Sequence, residues 1–170
     1  MKTLQIVSSA ILLLAAVSRV AVAQDILHFA SVAEAVRYVE NENNISDYKG
    51  SVFGSEEYLV ALPSGKKVSN WLVNCAFSDA FREFRKESIP FLIEFLGSNA
   101  AYLRVGACEV LKQKAGRYDE RSHSQSPDQR RAAYEEWKTW WERNKNNPRL
   151  DSPVRRIYPA KDWELQPQDR

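Results

Sequence analysis

The chain has 170 residues, with 24 basic and 22 acidic side chains, 44% hydrophobic residues and two cysteines. Lys2 and Arg19 are the only charges in residues 1–23, so the remainder carries 22 charges of each sign and no net charge. That balance excludes a general electrostatic attraction to nucleic acid or to an anionic membrane, and the length suits one domain with a core that needs no staples.

At the amino end, Lys2 precedes an apolar run over residues 10–17, followed by Ala21-Val22-Ala23 with small residues at the −3 and −1 positions of a cleavage site. The pattern predicts a secretory signal peptide over 1–23, cut before Gln24. The expected product is exported, periplasmic or extracellular. Ser8, Ser9, Ser18 and Arg19 interrupt a segment too short to span a bilayer comfortably, and the mature chain shows no transmembrane segment.

Ser31-Val32-Ala33-Glu34 is a capping box, which opens a helix with Val32, Ala35, Val36 and Val39 inward and an end near Asn41. The run NENNISDYKG is turn chemistry; Asn44-Ile45-Ser46 within it is formally a glycosylation acceptor and reads more simply as a loop. Glu57 to Leu62 suggests a short strand and Pro63-Ser64-Gly65 a turn. A small hairpin or an irregular flap over helices fits this insertion, either as a structural plug or as a binding element. Helical spacing resumes at Ser69 with Trp71, Leu72, Cys75, Ala76, Ala80, Phe81 and Phe84, Ser78-Asp79 being a candidate break.

The strongest pattern is the stretch from Ile89 to Gly116. Ile89, Leu92, Ile93 and Leu96 fall on one helix face, Phe91 and Phe95 form a second stripe, and only Glu94 is plainly polar. Gly97 is placed to stop this helix with positive φ, and Ser98 or Asn99 to cap the next. The second helix turns Leu103, Ala107, Val110 and Lys114 inward, lets a neighbouring backbone approach at Gly106 and Ala107, and ends at Gly116. A short turn between two such helices makes an αα-hairpin. Arg117 to Asp128 then reads as a polar link containing His123, with Ser126 capping a helix that begins at Pro127. On it, Tyr134, Trp137 and Trp141 share a face and Trp140 packs beside them. Two readings stand for these tryptophans: a core cover, or an interaction surface stacking on sugar or peptide. Residues 148–170 form a polar tail after a helical domain over 24–147.

The sequence IPFLIEFLGSNAAYLRVGACEVLKQKAG resembles a HEAT-like helical repeat, whose second helix carries a valine, an arginine, an alanine-rich run, then leucine and glycine. The matching positions are Leu103, Arg104, Gly106, Ala107, Leu111 and Gly116. Asn99 stands where the family often has aspartate. The run RRAAYEEWKTWWERN, Arg130 to Asn144, resembles the closing helix of secreted bacterial proteins that carry such repeats. The resemblance implies an all-α domain, a short HEAT-like helical-repeat (αα-hairpin) unit with one irregular or small β-hairpin insertion. Equivalent helices of successive repeats are neighbours, which makes Cys75 and Cys108 candidates for a disulfide in an oxidising compartment. The other reading is two buried small hydrophobes.

Chemistry-bearing motifs are sparse. The sequence contains no G-x-S-x-G, H-E-x-x-H, C-x-x-C, phosphate-binding glycine loop or dinucleotide fingerprint, and no cofactor or metal is implied. The expectation is an exported non-catalytic interaction or scaffold module with a protein or peptide partner. The alternatives are a small exported hydrolase using His28 or His123, and a cell-wall or glycan binder using exposed Trp137, Trp140 and Trp141.

Overall fold

The computed structural model describes residues 27–49, 58–117, 119–124 and 126–151. The expected signal peptide, the Glu57 end of the strand and most of the polar tail lie outside them. Among the described residues the fold is mostly helical, with six α-helices and one two-stranded antiparallel sheet.

Helix α1 (Val32–Glu40) starts as its capping box requires. Ser31 Oγ accepts from the Glu34 N–H at 3.3 Å, while the Glu34 carboxylate reaches one residue further back, to the Ala30 N–H at 2.8 Å. The run that follows is not all turn: Asn41 ends α1 and caps a short helix α2 (Glu42–Ser46), accepting from the Asn43 N–H. Ile45 drives this extra turn of helix, because it is fully buried. Asn44 is occupied there by a bond to the Tyr38 carbonyl at 3.0 Å.

The insertion is a hairpin. Strand β1 (Leu59–Ala61) pairs with β2 (Lys67–Ser69), Val60 opposite Val68. Pro63 sets the first corner of the turn, the Gly65 N–H closes back on the Leu62 carbonyl at 2.9 Å, and Gly65 takes φ 85°, a three-residue loop with a left-handed glycine. Val60, Leu62 and Val68 are buried against the helices.

Ser69 caps α3 (Asn70–Ala80), which runs unbroken through Ser78-Asp79. Ser78 is buried on the helix, and Asp79 finds partners in Arg82 at 2.9 Å and the Tyr48 hydroxyl, so neither residue has reason to leave the helical basin. Helix α4 (Ile89–Leu96) follows, with Pro90 in its first turn. Its second apolar stripe is split: Phe95 is buried but Phe91 is 43% exposed. Gly97 ends the helix at φ −79°, not in the left-handed region; Tyr134 of the last helix lies 3.5 Å from where a Cβ would sit.

The central element is α5 (Ala101–Ala115), which ends at Gly116 in the left-handed conformation, φ 64°. Every residue from Tyr102 to Cys108 is buried, as are Val110 and Leu111, so the helix has no single inner face. It packs on α3, on α4 and on β1. What approaches at Gly106 is a ring, not a backbone: a Cβ there would lie 2.3 Å from Phe77. Neither Ser98 nor Asn99 is the cap residue. Ala100 holds that position, with Ser98 Oγ accepting from its N–H at 3.1 Å. Lys114 does turn inward and donates to the Phe84 carbonyl; burial brings its pKa down to about 8.

Helix α6 (Pro127–Asn144), capped by Ser126, packs on α4. A 3-10 turn over Pro148–Asp151 buries Leu150.

Two stability predictions follow from this packing. Gly106→Ala should destabilise the fold by about 1–3 kcal/mol through overpacking, even though alanine favours helix by up to about 1 kcal/mol over glycine. Chemical denaturation should show much of this loss recovered in a Phe77→Leu background. Trp137→Ala should cost about 3–5 kcal/mol because the indole is completely buried, while Glu94→Ala, which removes only an exposed acceptor of the Tyr134 hydroxyl at 2.8 Å, should cost about 0.5–1.5 kcal/mol in the same assay.

Candidate functional site

The hairpin covers α5 incompletely, and the gap is a cleft of about 550 Å³. One wall is Tyr58 and all of β1. The other is Ala101, Arg104 and Val105, spaced so that they share one face of α5, with His123 closing the end. Tyr58 and Leu59 are 44% and 54% exposed, two of the most exposed large hydrophobics among the described residues.

The sheet register fixes which backbone groups face this gap. The Leu62 N–H bonds the Lys66 carbonyl at 2.8 Å and the Asn70 N–H bonds the Tyr58 carbonyl at 3.1 Å. In an antiparallel ladder hydrogen-bonded pairs alternate along the strand, so Tyr58, Val60 and Leu62 point their peptide groups at β2. Leu59 and Ala61 point theirs to the other edge, where the two-stranded sheet provides no neighbour among the described residues.

Arg104 forms part of the floor. Its side chain is almost fully buried, with the residue only 5% exposed. Nη1 donates to the carbonyls of Ser98 at 2.7 Å and Asn99 at 2.9 Å, clamping the turn between α4 and α5. Nε is buried with no hydrogen-bond partner, and no Asp or Glu pairs with this guanidinium among the described residues. Burial, and then repulsion from Arg130, lower its pKa. Among the described residues, peptide dipoles hold the buried charge.

His123 ends a 3-10 turn over Glu120–His123. This turn is fixed from below by a charge network. Asp119 accepts from Arg121 Nε at 2.9 Å and Nη2 at 2.7 Å, and Arg121 continues to both oxygens of Glu136 on α6. The bonds from Arg121 hold the Asp119 carboxyl below its usual range. Arg117 joins Glu136 at 3.2 Å and lies 5.0 Å above the Trp137 ring. The imidazole of His123 is pushed below its ordinary value by burial first and by Arg104 second.

The other residues singled out from sequence lie apart from the cleft or beneath it. Trp137 is wholly buried and meets Trp140 edge-on at 5.2 Å; Trp140 and Trp141 are half-buried against the core. The core reading thus holds for Trp137, and a stacking surface made of all three rings does not exist. A shallower cleft of about 440 Å³ beside Trp140 is lined mainly by charged residues, among them Arg117, Glu135 and Arg143. Cys75 and Cys108 are both buried and are not joined by a disulfide; Cys108 Sγ lies 3.7 Å from the Asp119 carbonyl, and burial pushes its pKa up to about 11. His28 pairs with Glu83 at 2.9 Å on the surface. Among the described residues, no three His, Cys, Asp or Glu side chains cluster to hold a metal ion, and no helix is long and apolar enough to cross a membrane.

Sequence reasoning placed Arg104 in a family pattern without seeing it as a site, and missed Tyr58 and Leu59. One signal was available: a lone arginine inside the apolar run from Tyr102 to Val105. No family model matches the chain, and neither do any curated protein or solved structure.

The His123 environment gives a pH dependence. An unfolded chain takes up the imidazole proton near the ordinary value of 6.5, whereas the folded protein resists it to lower pH. The unfolded state therefore binds more protons in that window, and stability declines as pH falls below about 6.5. His123→Gln should flatten the denaturation midpoint between about pH 7 and 5.5 relative to the parent chain.

Proposed function

We propose that the chain is an exported, HEAT-like interaction module that binds an extended peptide segment of a partner protein and catalyses no reaction. The observation that carries this reading is the edge of β1 that has no strand neighbour among the described residues, beside a largely apolar cleft. A strand edge with unpaired N–H and C=O groups is a template for another strand, and peptide recognition by strand addition draws affinity from those groups and selectivity from neighbouring pockets. Tyr58, Leu59, Val105 and Ala101 supply the apolar contacts. The helices behind them act as a rigid support, as stacked hairpins do in helical-repeat proteins.

The hydrolase alternative has little to build on. His28 and its Glu83 partner are exposed on the surface, and His123 stands beside a cation that discourages its protonation. Full burial of Trp137 weighs against the glycan reading.

The test is selection of peptides from a random displayed library, followed by amide NMR of the complex. The bound peptide should shift Leu59 and Ala61 and leave Thr139 on the far side of α6 unchanged. Ala61→Pro removes the outward N–H at an edge position where proline is tolerated, and should weaken binding at least about tenfold with helical circular dichroism retained, roughly 1.4 kcal/mol. Binders that shift α6 and spare β1 would overturn the reading.

A further inference from the structure

We infer that the peptide cleft is gated by acid through His123: one proton taken up at the closed end of the cleft weakens its hold on an uncharged peptide. The inference rests on the peptide-binding reading above and names how that same site is regulated.

His123 and Arg104 line one cleft, the imidazole closing its end and the guanidinium forming part of its floor. As a neutral ring, His123 adds to walls supplied by Val60, Ala61, Ala101 and Val105. As an imidazolium it sets a second positive charge beside Arg104. Water in the open cleft screens that pair. A strand laid along β1 and over α5 displaces the water, and like charges repel more strongly as the local dielectric falls. The charged ring therefore suits an empty cleft better than an occupied one. Peptide binding and protonation oppose each other, and each weakens the other by the same factor.

The ring has little room to move away. Asp119 and Glu136 both accept from the Arg121 side chain, which ties the 3-10 turn to α6. Ser122, the residue before the histidine, is fully buried. On its other side the Ser124 carbonyl accepts from Arg130 of α6 at 3.0 Å. The charges around His123 are thus set by fixed elements. Arg104 faces it from α5, where Cys108 stays a neutral thiol because burial pushes its pKa up to about 11. From α6 come Arg130 and a Glu136 already engaged by Arg121 and Arg117, and Tyr58 lines the cleft from the hairpin side. On its own turn, Asp119 is held by Arg121, and Glu120 favours the proton but is outweighed by burial and then by Arg104.

The sign follows. The empty protein takes up this proton only below the ordinary value of 6.5, and an occupied cleft pushes uptake lower still. Affinity is therefore constant near neutrality, where the ring is neutral in both states, and falls as the pH drops through the value of the empty protein.

The probe is a six-residue peptide of alternating threonine and valine, acetylated and amidated so that it carries no titratable group. On the full chain its Kd, read from the Leu59 and Ala61 amides, should rise at least about threefold between about pH 7 and pH 5, with helical circular dichroism retained. By reciprocity, saturating peptide should lower the pH midpoint of the His123 ring signals by about 0.5 or more, with the exposed His28 ring as internal reference. His123→Gln should remove the pH dependence of Kd, whatever its affinity at neutral pH. A Kd constant over this range, or a His123 midpoint that the peptide does not move, would overturn the gate and leave the peptide-binding cleft standing. So would a pH dependence that persists in His123→Gln. No binding at pH 7 would instead overturn the peptide reading, and the gate with it. The ring titration uses the unaltered protein, so the outcome does not hang on a variant that folds.

Discussion

The contact between the Phe77 ring and the backbone at Gly106 is the constraint on which the rest of the structure depends. A helix that buries every residue from Tyr102 to Cys108 must be surrounded, and it can be surrounded closely only if one side is nearly flat. Gly106 supplies that side. The Phe77 ring, itself fully buried and edge-on to Phe95 at 6.0 Å, fills the space a side chain would occupy and joins α3, α4 and α5 at one point. Close-packed interiors transmit such a local fit outward, so the positions of the hairpin above α5 and of α6 beyond α4 follow from it.

Surrounding α5 brings two cations into the interior, and both are accommodated in the same way. Arg104 bonds the carbonyls that follow α4, and Lys114 bonds the Phe84 carbonyl that follows α3. Carbonyls at and beyond a helix C-terminus are short of donors and carry partial negative charge. Using them to hold a cation satisfies both groups without an acid. The two sites then differ. Lys114 is half-buried and bonds one carbonyl, whereas Arg104 is almost fully buried, bonds two, and lines the cleft under β1.

That cleft exists because a two-stranded hairpin, not another helix, covers the first turns of α5. Three-residue strands shield Val60 and Val68 but are too short to close the gap to His123. The opposite wall stays fixed because Asp119, Arg121 and Glu136 tie the 3-10 turn to α6, and α6 is anchored by Trp137. The tryptophan helix therefore contributes to the candidate site indirectly, by holding the histidine end of the cleft in place.

Local patterns were legible in the sequence wherever a residue's role depends only on its near neighbours. Ser31 with Glu34, Ser126 before Pro127, the left-handed stop at Gly116 and the Pro63-Ser64-Gly65 turn all appear as read, because caps and tight turns are settled by backbone groups a few residues apart. Apolar spacing likewise announced helices α4 and α5, which pack together, and of the two readings open for the tryptophans the buried one holds for Trp137. The tertiary structure decided what spacing leaves undetermined. It made α5 buried on every side, left Phe91 exposed, kept α3 continuous through Ser78-Asp79 and added a turn of helix at Ile45. It also turned Arg104 from one residue of a repeat-like pattern into a buried cation that clamps the turn between α4 and α5 and lines the cleft under β1. A side chain's partners across the core depend on elements distant in the chain, and no local periodicity encodes them.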